Sequence, residues 1–271
     1  MNDKNALYIV ATPIGNLNDI SSRAIEVLRL VDVVAAEDTR HSGRLMQAHQ
    51  INTPLISYHD HGGSDQHQRI LSRLSDGQSV ALISDAGTPL ISDPGYRLVK
   101  CAREEGYRVI PIPGACAFIA ALSASGLPSD RFAFEGFPPA KSAARRKLFD
   151  SAKGDTRTLI YYESPHRIED SLADMAAVFG DDRPAVLARE LTKTFETFLS
   201  GSMSEIVAQV NSDPNQRKGE MVVMVEGARK ESNEDIPPAA LSTMRWTIPP
   251  RANSSARRSA SFRACPSKSQ I

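Results

Sequence analysis

Five short apolar runs punctuate the first 125 residues: Leu7–Ala11, Val31–Ala36, Pro54–Tyr58, Ser79–Ile83 and Tyr107–Ile112. Amphipathic stretches of helical period separate them, among them Ile20–Leu30, Gln66–Leu74 and Tyr96–Glu105. Each run has strand length. Apart from Asp32, Ser57 and Arg108 in their interiors, the runs are continuous rather than alternating, which predicts burial on both faces and therefore a parallel sheet with helices on each side. Gly114–Ala124 adds an alanine-rich helix.

The texture changes at Gly126, where a Gly-Leu-Pro joint leads into a strand at Arg131–Glu135, a Pro-Pro turn and a basic segment. Further strand patterns follow at Thr158–Tyr162, Ala185–Glu190, Phe195–Gly201 and Gly219–Val225, with helices at Ala143–Ala152, Arg167–Phe179 and Met203–Val210. The strands within 185–201 lie too close for a crossover helix, so they predict an antiparallel pair and a mixed sheet. The expected organisation is two α/β domains, 1–125 and 126–230, followed by a tail, 231–271.

Composition refines this picture at three points. The longest apolar stretch, Val109–Leu122, is too short to span a bilayer and is broken by two prolines and a glycine. Three widely spaced cysteines form neither a disulfide framework nor a CxxC site. No membrane association and a reduced cytoplasmic setting are therefore expected. The net charge of zero hides an asymmetry: from Pro237 onward lie six of the 32 Lys and Arg residues and none of the 32 Asp and Glu. The remainder carries 26 basic and 32 acidic residues, a net of −6, which argues against indiscriminate nucleic-acid binding. The Ser-, Arg- and Pro-rich tail has no period. It reads either as a disordered basic tail that binds nucleic acid or, the preferred reading, as an ending that is not the native one, for instance from a shifted reading frame.

The candidate chemistry sits at strand ends. "ATPIGN", "SDAGTPLISDPG" and "PIPGACAF" each follow a buried strand, so in a parallel sheet they would meet along its carboxyl edge, where ligands bind. The eleven residues Asp85–Gly95 hold two glycines, two prolines and two aspartates. None of the three loops offers a cationic side chain, and neither GxGxxG nor GxxxxGK[ST] is present, so a dinucleotide or P-loop site is not expected. A ligand without phosphates, gripped by backbone groups and by Asp85, suits them. "EDTRHSGRLM" places Glu37, Asp38 and Arg40 after the second strand, either as a charged lip or as a helix cap. "YHDHGG" has no spacing of a common metal site and reads as a polar loop, so no metal is expected. "YYESPHR" and "ARELTKTFET" place Glu163, His166, Arg167, Arg189, Glu190 and Lys193 beyond apolar strands, as substrate grips or as ion pairs. "KSAARRK" holds Lys141, Arg145, Arg146 and Lys147, the best phosphate-contact patch in the body.

Taken in order, "LYIVATPIGNLNDIS", "AEDTR", "SDAGTPLISDPG", "PGACAFIAALSASGLP", "YYESPHRI" and "ARELTKTFET" resemble the tetrapyrrole methylase superfamily, and within it the bacterial small-subunit ribosomal RNA 2′-O-methyltransferases. The resemblance runs from about Ala6 to Val225. It implies two α/β domains with S-adenosylmethionine in the cleft between them, often in a homodimer, and a cytidine ribose of small-subunit ribosomal RNA as methyl acceptor. By the same matching, Pro13, Asp85, Ala86, Gly87, Leu90, Ile91, Cys116 and Ala117 would line the cofactor. Glu190 or Lys193 would help remove the hydroxyl proton, and Arg40, Lys141, Arg145, Arg146, Lys147, Arg167 and Arg189 would contact the RNA. Two other readings stay open: a superfamily member with a tetrapyrrole or protein substrate, and a protein that binds cofactor or RNA without catalysis.

Overall fold

The first apolar runs become one five-stranded sheet. The computed structural model describes residues 5–59 and 64–229; His61 of the polar loop and the 231–271 tail lie outside the described residues. In chain order the first half contains β1 (Ala6–Val10), α1 (Ser22–Leu30), β2 (Val33–Ala36), α2 (Thr39–Ala48), β3 (Leu55–Ser57), α3 (Ser64–Ser75), β4 (Val80–Ile83), α4 (Tyr96–Glu104) and β5 (Arg108–Ile112). The strands are all parallel, in the order β3-β2-β4-β1-β5. Alternate residues of β1 show why helices cover both faces. Ala6, Tyr8 and Val10 pack with Ala24 and Leu28 of α1 and with Leu45 and Met46 of α2. Leu7 packs the other way, with Ile70 and Leu74 of α3 and Leu98 of α4. Each fully buried Leu or Ile here contributes about 2 kcal/mol of transfer free energy.

The second half contains β6 (Phe132–Phe134), α6 (Ser142–Ala152), β7 (Thr158–Glu163), α7 (Ile168–Phe179), β8 (Pro184–Arg189), β9 (Thr197–Ser202), α8 (Met203–Ser212) and β10 (Met221–Val225). Its sheet runs β6-β7-β10-β8-β9, parallel between β6 and β7 and antiparallel elsewhere. The expected hairpin is present, with Pro184–Arg189 paired to Thr197–Ser202. Helices α6, α7 and α8 cover one face through Phe149, Leu172, Met175, Met203 and Ile206.

The other face is covered from the first half of the chain. α5 (Ala117–Ser125) leaves the edge of the first sheet and buries Phe118, Ala121 and Leu122 against Ile160, Val186, Val222 and Met224. Gly126, with φ of 75°, ends it in the left-handed conformation that glycine adopts freely. The chain therefore crosses from one sheet to the other at residues 113–117, and this crossing brings the strand-end loops against the second sheet.

Of the two readings of "EDTRHSGRLM", the helix cap is the one seen: Asp38 caps the helix at residues 39–48, accepting from the amides of Arg40 and His41. One detail departs from the sequence reading. The strand expected from Val31 starts at Val33, because the Val31 amide still bonds to Val27 and closes α1.

Candidate functional site

β4, β1 and β5 are neighbours in the first sheet, so the loops leaving their carboxyl ends lie side by side. They are stitched together through the backbone. The Thr12 amide donates to the Gly87 carbonyl at 2.8 Å, and the Gly87 amide returns a bond to Thr12 at 3.1 Å. The Thr12 hydroxyl reaches the Ser84 carbonyl (3.2 Å), and the Thr88 hydroxyl reaches that of Ala115 (3.0 Å). Glycine is required where the loops touch: a Cβ at Gly114 would sit 2.9 Å from that of Ala11. Within residues 84–95, Leu90 and Ser92 adopt φ of 74° and 63°, conformations costly for residues with a Cβ.

Facing these loops is the upper edge of the second sheet. Tyr162 and Glu163 at the end of β7 lie opposite Val222 and Met221 at the start of β10. The Tyr162 hydroxyl accepts from the amide of Phe118 at 3.2 Å, tying this wall to the start of α5. Between the two walls is a cavity of about 370 Å³. Ile14, Ala86, Gly87, Thr88, Ile91, Ser92, Asp93, Cys116 and Ala117 line one side; Phe137, Tyr162–Pro165, Leu191 and Glu220–Val222 line the other. The lining contains no Lys, Arg or His and three carboxylates, Asp93, Glu163 and Glu220.

Burial pushes the Asp93 carboxyl up to about 6; repulsion from Glu37 and Asp85 adds to this, and a hydrogen bond from Ser84 opposes it. Burial likewise raises the Cys116 thiol, so Cys116 is a neutral wall residue. Glu163 is fully buried. Its Oε1 accepts from Arg167 (2.7 Å) and from the Ser164 amide (2.8 Å).

Of the residues expected at the cofactor, Ala86, Gly87, Ile91, Cys116 and Ala117 border this cavity. Pro13, Asp85 and Leu90 do not. Asp85 instead accepts from the Asp38 amide at 3.0 Å, anchoring the loop to α2, and Leu90 packs into the first-sheet core. Asp93, from the same loop, is the carboxylate that lines the cavity, and the sequence reading passed over it.

The expected base is in a different situation. Lys193 Nζ lies 2.8 Å from Glu190 Oε1 and 2.5 Å from Glu220 Oε2. Burial works to lower the Lys193 pKa, but the hydrogen bonds to Glu190 and Glu220 outweigh it and hold the ammonium charged. Burial tends to raise Glu190, yet Lys193 and the Glu220 amide keep it ionised below its ordinary range. Lys193 is thus held in its protonated form, and neither Lys193 nor Glu190 borders the cavity. Glu220, the third member of the cluster, does.

The expected RNA contacts also divide. Arg145 is 3% exposed and spends its guanidinium on Asp174 and the Ala140 carbonyl, and Arg146 bonds the same carboxylate from the surface. Arg189 is buried and donates to the carbonyls of Phe195 and Asn215. Arg145 and Arg189 thus have their guanidinium groups engaged within the fold. Arg167 is engaged with Glu163, Ser164 and the Pro138 carbonyl. Arg40, Lys141 and Lys147 are exposed. Among the described residues no His, Cys, Asp and Glu cluster could hold a metal, and no helix is long and apolar enough to cross a membrane.

Residues 6–207 match the family model described as Tetrapyrrole (Corrin/Porphyrin) Methylases. The chain is 56% identical over 243 residues to Ribosomal RNA small subunit methyltransferase I of Escherichia coli O157:H7, covering 90% of this chain and 85% of that one. It is 59% identical over 229 residues to the protein of the same name from Pseudomonas aeruginosa, with 84% and 81% covered. Cobalt precorrin-4 methyltransferase, a solved cobalamin biosynthetic enzyme, has the same fold: TM-score 0.61 at 17% identity, with 82% of this chain and 95% of that one covered. The strand-end loops, the cavity they enclose and these likenesses agree: the chain belongs to the tetrapyrrole methylase family.

Proposed function

We propose that this chain is an S-adenosylmethionine-dependent methyltransferase of small-subunit ribosomal RNA, and that its acceptor is the 2′-oxygen of a cytidine ribose. One observation carries the reading: a largely apolar cavity whose charged lining residues are all carboxylates, Asp93, Glu163 and Glu220, with no cationic side chain among them. Such a lining repels phosphates and suits a cationic nucleoside cofactor. The relatives named as small-subunit ribosomal RNA methyltransferases supply the substrate class.

The residues present fit that cofactor. Asp93 offers a partly buried carboxylate to a cationic end, Gly87 lets the backbone approach closely, and Cys116 and Ala117 provide a small neutral wall. When bound, the cofactor supplies a methyl group on a sulfonium, already a good leaving group. The chain's own task is then chiefly alignment, worth several orders of magnitude in rate. The walls hold the acceptor oxygen in line and exclude bulk water. Glu190 and Lys193 keep a place in this reading with a changed role, as a clamp that positions Glu220 at the cavity. Lys141 and Lys147 are the free cations of the basic segment and the phosphate contacts of this reading. We take 1–125 and 126–230 as its two domains, and the working form as a cytoplasmic homodimer, which sedimentation would check.

The test is transfer of labelled methyl from S-adenosylmethionine to small ribosomal subunits prepared from cells deficient in this methylation. Label on a cytidine 2′-oxygen is the expected result. Cofactor binding without label on any subunit preparation would overturn the reading.

A further inference from the structure

Phe137 is a large aromatic side chain set at the mouth of the cavity and left 54% exposed. It ends a run of rings that begins in the core. Phe118 stacks on Phe134 (centroids 4.4 Å apart), Phe134 meets Tyr162 edge-on (4.8 Å), and Tyr162 meets Phe137 at 5.5 Å and 60°. Phe118 is buried and Phe134 and Tyr162 are half-buried; the last ring is exposed where it borders the cavity. Its backbone is fixed on both sides. The Gly136 carbonyl accepts from the Tyr162 amide (2.9 Å), that of Pro138 from Arg167 (3.2 Å), and that of Ala140 from Arg145 (3.2 Å). Exposed Phe195 lacks this setting, since it does not border the cavity.

We infer that Phe137 is the stacking platform for the base of the target nucleotide, an inference that rests on the reading of this site as an RNA ribose methyltransferase. The reacting oxygen of such a substrate is on the sugar, so the ribose must enter the cavity while its base stays at the rim. To get there the nucleotide leaves its own stack, and an unstacked base needs a planar apolar partner. A ring held in place before binding supplies that partner without further ordering cost. Charge agrees with the assignment. The chain runs from Phe137 directly into Lys141 and, one helical turn and a half later, Lys147, both exposed. The strand leading away from a base stacked on Phe137 would meet these cations, whereas the cavity interior offers its phosphates only carboxylates.

The test measures kcat and KM for methyl transfer to unmodified small subunits, and cofactor affinity by calorimetry, in Phe137→Ala, Phe137→Leu and Phe137→Trp. Loss of one base-stacking contact predicts that Phe137→Ala lowers kcat/KM by about tenfold or more, mainly through KM. Phe137→Trp should stay within about threefold of the wild type, Phe137→Leu should resemble Phe137→Ala, and cofactor affinity should be unchanged in all three. Unaltered cofactor binding also shows that each variant is folded. The inference is overturned if Phe137→Ala leaves kcat/KM intact, if Leu serves as well as Trp, or if cofactor affinity falls in parallel, which would place the ring in the cofactor wall. Wild-type protein that binds cofactor but labels no subunit would instead sink the reading beneath it, and the platform with it.

Discussion

Two loops of the site, 84–95 and 189–197, share an unusual backbone and are held by opposite means. Each contains two non-glycine residues at positive φ: Leu90 and Ser92 in the first, Glu190 and Thr192 in the second. The first loop is secured mainly by neutral bonds, the paired amides of Thr12 and Gly87 and the hydroxyls of Thr12 and Thr88, with one carboxylate, Asp85, accepting from the Asp38 amide and no ion pair. The second is secured by charge. Arg189 spans to Phe195 and Asn215, Lys193 joins Glu190 to Glu220, and the Thr192 amide donates to Glu196 at 2.6 Å. A single hydrogen bond, from the Asn16 amide to the Thr192 hydroxyl at 3.1 Å, joins it to the loop after β1. Strain of similar kind can thus be fixed by either device, and the device decides how the wall responds to salt and to mutation.

The largest expected effect comes from the charge that supports the second wall from below. Arg145 carries the Ala140 carbonyl and is buried against Asp174 at 2.6 Å. Arg145→Met strands the Asp174 carboxylate, and breaking a buried pair in this way costs about 3 kcal/mol. Arg146 and the Ser142 hydroxyl remain on Asp174 and keep the loss at that end of the range. Urea titration would read it. At low temperature the folded variant should bind subunits as the wild type does, while Lys147→Glu should weaken binding and flatten its salt dependence without altering stability. Equal loss of RNA affinity in both would return Arg145 to the phosphate contacts.

Next in size is Asp93, where the neutral wall carries its one cavity-lining charge. Asp93→Asn should weaken cofactor binding by about 10- to 100-fold, the worth of a hydrogen bond to a charged group. The sign of the pH effect follows from the raised pKa: the carboxyl is neutral below about 6 and ionised above it. Affinity for a cationic cofactor should therefore be level above that pH and decline as pH falls through it, by about tenfold per unit at the limit. Calorimetry across pH 5–8 would show this slope in the wild type and not in Asp93→Asn.

The contrast between Asp93 and Asp85 also shows what the chain's residue order makes legible. The strands are readable because their apolar runs are continuous, and the parallel sheet follows from that. The helix at Thr39–Ala48 gives only a weak periodic signal, since its buried i, i+3, i+4 set, Ser42, Leu45 and Met46, holds just two apolar residues. Asp85 and Asp93 both follow a serine and precede a glycine by two positions. Which of them faces the cavity is set by the two left-handed residues between them, Leu90 and Ser92, and no residue type there announces such a turn. The second wall is hidden for another reason. Leu191, Met221 and Val222 read as ordinary core residues, and only the passage of α5 onto the second sheet makes them part of a site.

A smaller effect tests whether the neutral wall depends on its glycine. Gly87 sits at φ of 84°, and a Cβ there would lie 3.3 Å from Ile14 Cγ2. Gly87→Ala should cost about 1–2 kcal/mol for the left-handed backbone. The thermal midpoint would fall by about 2–4 °C for each kcal/mol lost. Cofactor affinity should fall too, because Ile14 borders the cavity and must give way. A stability loss with affinity intact would mean that the loop can shift as a unit, and would weaken the contrast between the two walls.

The smallest effect on stability belongs to Lys193, and it separates a clamp from a base. The side chain is partly exposed, and pairs of this kind contribute under about 1 kcal/mol. Lys193→Met should therefore barely change the melting temperature. It leaves Glu190 and Glu220 facing each other with no cation between them, so the loop should loosen and Glu220 should turn outward from the cavity. The expected kinetic signature is a several-fold fall in kcat/KM with the pH profile of kcat unmoved, because no titrating base has been removed. Lys193→Arg, which keeps the charge, should recover most of the activity. Raising salt should mimic the Met variant in the wild type and do little to the variant itself. If kcat instead collapsed and its pH dependence shifted, Lys193 would be handling the proton, and the second wall would be catalytic machinery rather than a charged frame.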